Sequence, residues 1–277
     1  ACCYDGKNCD KIFKKQIYQI ELCTSEENMN FFYIKSINLF DGKPLYYDYV
    51  IDLSEMNLDK IETSAFLNLS IFVNRLNLKI NFIKSLEPRL FYRLIKLREL
   101  ELSYNRIETL KNETFYGLDS LIYLYLEYNK IEIIELNAFG FLANLSYLDL
   151  SFNRIRSLNE NIFSGLKSLE NLKFLKNLLE NLNQNILYFN LRNLKSLDLS
   201  INRINQIESI NDLPNIISIE ILILKNNHLS FLKNGLFNNM FKLIQLDLSN
   251  NLIEVVPNEI FRDLSSLITL QLSKNNI

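Results

Sequence analysis

Apolar residues recur along the chain in a fixed pattern with a period of 24 or 25 residues. In residues 97–107 leucine, asparagine and isoleucine are spaced L-x-x-L-x-L-x-x-N-x-I, and the same spacing begins again at Leu121 and Leu145. The repeats start at Asp48, Val73, Leu97, Leu121, Leu145, Leu169, Leu194, Ile219, Leu243 and Leu267. Self-similarity at a fixed period of roughly 20–50 residues is the signature of stacked repeats, so the pattern predicts a solenoid.

Each repeat begins with alternating apolar residues, which predicts a short strand with its leucines inward. Strands of successive repeats would stack as a parallel sheet, and each repeat would bury its apolar side against its neighbours. The non-leucine positions point away from the core and form a surface that we name the strand face. The ninth position is an asparagine in nine repeats: Asn81, Asn105, Asn129, Asn153, Asn177, Asn202, Asn227, Asn251 and Asn275. Its amide carries donors and an acceptor for the backbone groups that are freed where the chain leaves the sheet.

Phenylalanines form a second periodic series on the returning side of the repeats. They are Phe66, Phe91, Phe115, Phe139, Phe163, Phe237 and Phe261. A phenylalanine in each repeat predicts a row of stacked rings inside the outer wall. Leu187 and Asp212 occupy this position in the repeats that start at Leu169 and Leu194, so we expect local irregularity there.

The spacing resembles that of the leucine-rich-repeat family, and the resemblance covers residues 48–277. The segment 256–264, V-P-N-E-I-F-R-D-L, is similar to the form common in extracellular members such as Toll-like receptors and slit-like proteins. The resemblance implies an α/β-type repeat solenoid, a horseshoe with a parallel concave β-sheet and a mostly irregular convex side. We expect about ten repeats in 48–277, the last truncated. A cysteine-rich N-terminal cap in 1–47 would precede them, with one degenerate strand around Ile34, Ile37 and Leu39.

All four cysteines lie at the N-terminus, as Cys2, Cys3, Cys9 and Cys23. Such a cluster indicates either two disulfides or a metal site. The cysteines do not fall into two closely spaced pairs of the kind zinc usually requires, so we favour disulfides and expect no metal. Disulfides imply an oxidising compartment, and the three connectivities stay open. The resemblance implies that this cluster covers the first end of the repeat core.

Composition and motifs exclude several functions. The formal net charge of -2 offers no basic field for phosphates, so we expect no nucleic-acid partner. Apolar stretches fall short of the roughly 20 residues of a membrane span. Membrane attachment would therefore need a segment that is not present here, and the uncapped last repeat suggests a longer protein. The single histidine, His228, belongs to no catalytic constellation, so we predict no enzyme and no cofactor.

Three sequons suggest a secreted glycoprotein: Asn68, Asn112 and Asn144. Their positions in the repeats lie outside the predicted strands. Glycans at these positions would leave the strand face open for a partner.

The candidate binding surface is the strand face of the repeats that start at Leu97, Leu121 and Leu145. Its aromatic and acidic side chains are Tyr104, Tyr123, Tyr125, Tyr128, Tyr147, Phe152, Glu101 and Glu127. An exposed aromatic cluster is typical of recognition surfaces, although tyrosine also favours strands for structural reasons alone. Asp149, Asp198 and Asp247 lie in recurrent L-D-L-S segments, and we interpret them as structural.

These features favour an extracellular binding protein. The first hypothesis is the ligand-binding ectodomain of a cell-surface receptor in the style of Toll-like receptors, with a protein or microbial ligand. Homodimers and heterodimers are both compatible with it. The alternative is a secreted, matrix or adhesion protein with a structural or protein-interaction role, since one scaffold serves all these uses.

Overall fold

The computed structural model describes residues 11–14, 18–24, 32–39, 49–67, 69, 73–159, 161–182, 191–207 and 218–277. Cys2, Cys3, Cys9, Asn68, Leu187 and Asp212 lie outside these residues, and Cys23 is described by its backbone alone. The chain divides into two units, Ala1–Leu142 and Ala143–Ile277. The expectations for the disulfides, for one glycan and for the interrupted phenylalanine row therefore stay predictions.

The N-terminal unit contains a parallel sheet of repeat strands. The strands of this unit are β1 (Lys11–Lys14), β2 (Tyr18–Thr24), β3 (Phe32–Leu39), β4 (Tyr49–Asp52), β5 (Leu58–Ile61), β6 (Val73–Asn77), β7 (Glu99–Glu101), β8 (Thr109–Leu110), β9 (Tyr123–Tyr125) and β10 (Ile133–Ile134). The sheet has the order β4-β6-β7-β9. Leu76, Leu100 and Leu124 lie in register across its last three strands and are buried.

A second sheet joins three strands that precede the repeats to one strand of the first repeat, in the order β1-β2-β3-β5. β1 and β3 pair with β2 in antiparallel fashion, whereas β3 pairs with β5 in parallel. β3 contains Ile34, Ile37 and Leu39, for which the sequence predicts a degenerate strand. Its neighbours are β2 and β5, so it belongs to this second sheet and not to the sheet of repeat strands.

The C-terminal unit repeats the same plan. Its strands are β11 (Tyr147–Asp149), β12 (Asn171–Lys173), β13 (Asn181–Leu182), β14 (Ser196–Asp198), β15 (Gln206–Ile207), β16 (Ile221–Ile223), β17 (Gln245–Asp247) and β18 (Thr269–Gln271). A parallel sheet runs in the order β11-β12-β14-β16-β17-β18. Short parallel pairs of strands follow the main strands along the chain. They are β8 with β10 in the N-terminal unit and β13 with β15 in the C-terminal unit. Each unit is thus a parallel-strand solenoid, which confirms the predicted fold class.

The phenylalanine row is present in both units. Ring centroids are 5.7 Å apart for Phe66 and Phe91, 6.3 Å for Phe91 and Phe115, and 6.0 Å for Phe115 and Phe139. In the C-terminal unit, Phe237 and Phe261 stack at 6.0 Å. Phe66, Phe91, Phe115, Phe139 and Phe237 are fully buried, so the stacked rings form part of the core of the repeats that carry them.

The asparagine ladder joins successive repeats. The buried Asn105 donates from Nδ2 to the carbonyl oxygens of Leu78 at 2.9 Å and Leu102 at 3.1 Å, and its Oδ1 accepts the N–H of Ile83 at 3.1 Å. Equivalent bonds recur at Asn129 and Asn227. The expected role of the amide is confirmed, and each amide also bonds to the repeat before its own.

We predict that Asn105→Ala lowers the free energy of unfolding by about 2–3 kcal/mol, because it leaves buried backbone groups without partners. Asn258→Ala is the matched control, since Asn258 is exposed and its loss should change stability by less than about 0.5 kcal/mol. Urea unfolding of both variants measures the difference. Equal effects would contradict a ladder role for Asn105.

At Gly117 the conformation and packing of the backbone limit which residue type can occupy the position. Its φ is 84°, and a Cβ there would lie 2.6 Å from the carbonyl oxygen of Tyr92, which is backbone. Gly140 has ordinary φ, and its added Cβ would meet Asn137 at 3.3 Å.

We therefore expect Gly117→Ala to destabilise the fold by about 2 kcal/mol or more, since strain at positive φ adds to the clash. Gly140→Ala should have a clearly smaller effect. Thermal unfolding of the two variants side by side provides the comparison, and a larger loss for Gly140→Ala would be the contrary result.

Candidate ligand-binding surface

The residue before each ladder asparagine adopts the left-handed backbone region. Nine residues share this position, with φ between 53° and 56°: Ile80, Tyr104, Tyr128, Phe152, Lys176, Ile201, Asn226, Asn250 and Lys274. Asparagine tolerates this region, whereas other side chains lose about 1–2 kcal/mol there and β-branched residues are genuine outliers. The fold therefore imposes a bend that suits Asn226 and Asn250 but strains the tyrosines and isoleucines.

Two of these strained residues form an exposed aromatic pair in the N-terminal unit. Tyr104 and Tyr128 are 43% and 39% exposed, and their rings stack with centroids 4.3 Å apart and planes 11° from parallel. Lys79 places its Nζ 5.4 Å from the Tyr104 ring centroid. The two rings lie on neighbouring repeats, and their stacking holds both in position. Contact with a partner would therefore cost little side-chain conformational entropy.

Further tyrosines and carboxylates lie on the same strand face. Tyr123, 42% exposed, and the half-buried Tyr125 project from β9, and β7 places Glu99 and Glu101 opposite them in register. Glu101 Oε1 accepts the N–H of Ser103 at 3.0 Å, which holds the carboxylate at the end of β7. We name Tyr104, Tyr123, Tyr125 and Tyr128 the tyrosine patch. Glu101 and the half-buried Glu127 lie among these residues along β7, β9 and the turns that follow them.

A shallow cleft adjoins the patch at the start of the strands. Its volume is about 380 Å³, and it is lined by Asn74, Arg75, Arg98, Glu99, Ile122 and Tyr123. Arg75 and Glu99 form an ion pair at 2.5 Å across adjacent strands, and the pairing raises the pKa of Arg75. Sequence reasoning missed this cleft, although its lining residues share the second and third positions of neighbouring repeats.

Tyr147 and Phe152 lie in the C-terminal unit, where lysines cover their rings. Lys173 and Lys176 place Nζ 5.3 Å and 5.2 Å from the respective centroids. The Tyr147 hydroxyl donates to Asp149 Oδ2 at 3.1 Å, and burial raises the pKa of Tyr147. The predicted site residues thus form two groups, one in each unit.

The L-D-L-S aspartates have the predicted structural role. Asp149, Asp198 and Asp247 each accept the N–H of the serine two residues later at 2.9 Å. These local bonds satisfy backbone groups at the ends of the strands. Each aspartate is therefore the last residue of its strand and bonds to the backbone of the segment that follows.

Two of the three sequons lie in the described part of the chain. Asn112 and Asn144 are exposed in turns outside the strands, and Thr114 Oγ1 donates to the Lys111 carbonyl oxygen at 2.7 Å. His228 is also exposed, and its N–H donates to the Ile204 carbonyl oxygen at 2.9 Å. Glycosylation stays a prediction, because these positions show only that both asparagines are accessible.

Comparison with known families identifies the class of protein. The sequence model of the Leucine rich repeat family matches residues 49–107, 95–155, 124–179 and 217–277, which is more than half of the chain. The chain therefore belongs to the leucine-rich-repeat family. A search of curated proteins finds no match.

Solved structures of leucine-rich-repeat proteins are similar to the chain. The repeat domain of APL1B is 26% identical, with a TM-score of 0.69 over 82% of this chain and 64% of that one. A chain of a Drosophila Toll–Spatzle complex is 25% identical, with a TM-score of 0.65 over 82% of this chain and 35% of that one. A chain of an octameric complex of Latrophilin 3, Unc5D and the repeats of FLRT2 is 26% identical. Its TM-score is 0.67 over 80% of this chain and 69% of that one. The chain spans less than two thirds of the APL1B and Toll-complex chains.

Within the part of the chain that the structure describes, no helix has the length and hydrophobicity that crossing a bilayer requires.

Backbone strain before the ladder asparagines can be measured at Ile201. It is 42% exposed with φ 53°, and we expect Ile201→Asn to raise the free energy of unfolding by about 0.5–1 kcal/mol, because asparagine tolerates this φ. Ile244→Asn is the control, since Ile244 is 38% exposed at an ordinary φ and loses only apolar contact. Chemical denaturation distinguishes them, and destabilisation by both would refute the strain.

Proposed function

We propose that the chain is the ligand-binding part of the ectodomain of a cell-surface receptor, and that the tyrosine patch contacts a protein or microbial ligand. The observation that carries the proposal is the exposed Tyr104–Tyr128 pair at a backbone position that disfavours tyrosine. Catalysis has no part in it. Signalling would depend on other segments of the receptor.

The choice of tyrosine at this position supports a role beyond folding. Asn226 and Asn250 occupy the same position in other repeats and suit its φ, so the fold itself does not require tyrosine. Tyrosine adds a large aromatic surface with a polar tip, which is the usual composition of an interaction hot spot.

The comparisons support binding of macromolecular partners by this type of scaffold. Toll is seen with Spatzle, and FLRT2 is seen with Latrophilin 3 and Unc5D. We infer by analogy a protein partner for this chain. Tyr147 and Phe152 are less exposed than Tyr104 and Tyr128, so we leave them out of the proposed patch.

An extracellular location completes the proposal. The exposed Asn112 and Asn144 would carry glycans on the turns and leave the strand face accessible. Cys2, Cys3, Cys9 and Cys23 would form disulfides in a cap spanning 1–47, ahead of repeats in 48–277. Each of these assignments remains part of the proposal.

A secreted, matrix or adhesion protein is the second candidate. The octameric complex that contains the repeats of FLRT2 favours it, since it has a repeat domain within a multiprotein assembly. The transcript distinguishes the two: a membrane segment encoded after residue 277 supports the receptor. A closing cap followed by a stop codon supports the alternative.

The tyrosine patch is tested with the double variant Tyr104→Asn/Tyr128→Asn. A library of secreted proteins and microbial surface material, screened by biolayer interferometry, supplies the ligand. We expect the double variant to weaken its binding by about thirtyfold or more, as for a hot spot, while the protein stays folded.

The matched control is Ile201→Asn, which introduces the same residue at the same repeat position in the C-terminal unit, and it should bind like the unchanged protein. Full binding by the tyrosine variant would refute the proposed site. Equal weakening by the control variant would indicate a structural effect instead.

A further inference from the structure

The segments that follow the strands of the C-terminal unit are basic. In its six repeats, which begin at Leu145 and end with the repeat that begins at Leu267, the seventh, eighth and tenth positions hold no carboxylate. They hold His228 and five cations: Arg154, Lys176, Arg203, Lys225 and Lys274. The same positions of the N-terminal unit include Glu55 and Glu127, so this separation of charge is specific to the C-terminal unit.

Three of these cations occupy consecutive repeats, and we name Lys176, Arg203 and Lys225 the basic edge. Backbone hydrogen bonds hold their segments side by side. The N–H of Lys176 donates to the carbonyl oxygen of Ser200 at 2.9 Å, and the N–H of Ile201 donates to that of Lys225 at 3.0 Å. Neighbouring segments are therefore about 5 Å apart, as neighbouring strands are. The basic edge thus presents one cation in each repeat.

All three side chains of the basic edge are exposed. Lys176 places its Nζ 5.2 Å from the centroid of the Phe152 ring, a contact that leaves the ammonium charge uncancelled. Within the residues that the structure describes, neither Arg203 nor Lys225 forms an ion pair. The positive charge of the basic edge is therefore open to a partner.

Carboxylates near the basic edge are fewer than its cations. From the fifth to the twelfth position, the same three repeats hold two, Asp198 and Glu180. Asp198 is half-buried, and its Oδ1 accepts the N–H of Ser200 at 2.9 Å, so it serves the backbone. Glu180 is exposed, and it offsets one charge at most. An excess of positive charge remains at the basic edge.

The other lysines and glutamates on the strand face of these repeats form pairs or lie at the start of a strand. Lys173 Nζ is 4.0 Å from Asp149 Oδ2, and Lys195 Nζ is 3.0 Å from Glu170 Oε2. Glu220 comes directly before β16, whereas the basic edge follows the strand ends. Uncancelled positive charge is thus concentrated in the basic edge.

An acidic protein segment is the partner that this chemistry fits. Guanidinium and ammonium groups form charge-assisted hydrogen bonds with carboxylates, whereas a basic partner would meet like charges. The half-buried Leu175 and Leu178 flank Lys176 along the chain, so apolar surface accompanies the charge. A peptide supplies acidic and apolar side chains together, whereas a sulfated polysaccharide supplies anions alone.

We propose that the basic edge binds an acidic segment of a second protein partner. The carboxylates of that segment meet Lys176, Arg203 and Lys225, and its apolar side chains contact Leu175 and Leu178. This partner is distinct from the ligand of the tyrosine patch, so the inference goes beyond the proposed function.

The test uses three fluorescein-labelled probes: a hexaglutamate peptide, a hexa-arginine peptide and a heparin hexasaccharide. Fluorescence anisotropy at about 20 mM salt measures binding where screening is weak. The variant Lys176→Gln/Lys225→Gln removes two charges of the basic edge. Its matched control is Lys167→Gln/Lys242→Gln, since both lysines are exposed in the same unit but lie outside the strands and the basic edge. Both variants change the net charge equally.

We expect hexaglutamate to bind the unchanged protein more tightly than hexa-arginine does. Lys176→Gln/Lys225→Gln should weaken hexaglutamate binding about tenfold, and the control less than twofold. Tighter binding of hexa-arginine, or equal loss in both variants, would overturn the inference. Binding of the heparin hexasaccharide through Lys176 and Lys225 without binding of hexaglutamate would also overturn it, because the partner would then be a polysaccharide.

Failure of this charge test is separable from failure of the proposed function. The probes and both variants involve the C-terminal unit alone and no residue of the tyrosine patch. If hexaglutamate binding does not depend on the basic edge, the second partner is wrong and the tyrosine patch is unaffected. If the ligand from the screen ignores Tyr104 and Tyr128, the proposed function is wrong and the basic edge stands on its own test.

Discussion

The bond between the ladder asparagine and the repeat before it is the interaction on which the structure depends. The chain must leave a strand and turn in every repeat, yet it contains only six glycines. The buried amide of Asn105 solves this by joining the carbonyl oxygens of Leu78 and Leu102 to the N–H of Ile83. A repeat therefore has satisfied backbone groups only when its neighbour is stacked against it.

The same turn fixes where exposed side chains are presented. The residue before the asparagine must adopt positive φ, and its side chain stands at the edge of the strand face in every repeat. Asn226 and Asn250 suit that backbone, whereas Tyr104 and Tyr128 do not. The proposed site is thus a place where the repeat architecture tolerates local strain and gains a fixed aromatic pair, with Glu101 and Glu127 nearby.

Periodicity alone was enough to predict the strand that begins each repeat, the inward leucines, the asparagine ladder and the stacked phenylalanines. Each of these depends on residue type at a fixed spacing, which is visible in the sequence. The positive φ of Tyr104 and Tyr128 was not predictable in the same way, because residue type there argues against it. The placement of β3 beside β5 depends on long-range pairing that no local pattern encodes.

The sequence also could not predict which of the aromatic candidates are exposed and which are covered by another side chain. Tyr128 and Phe152 hold the same repeat position and were equivalent in the sequence. Phe152 is covered by Lys176, whereas Tyr128 stacks on Tyr104 and stays exposed. Such differences depend on the side chain one repeat away and on its rotamer.

Hydrogen–deuterium exchange of the protein with and without its screened ligand tests the central claim most directly. Our account predicts ligand-dependent protection of backbone amides in 99–104 and 123–128, with little change in 109–118 or 221–226. Protection confined to 109–118 or to the C-terminal unit, with 99–104 and 123–128 unchanged, would contradict it.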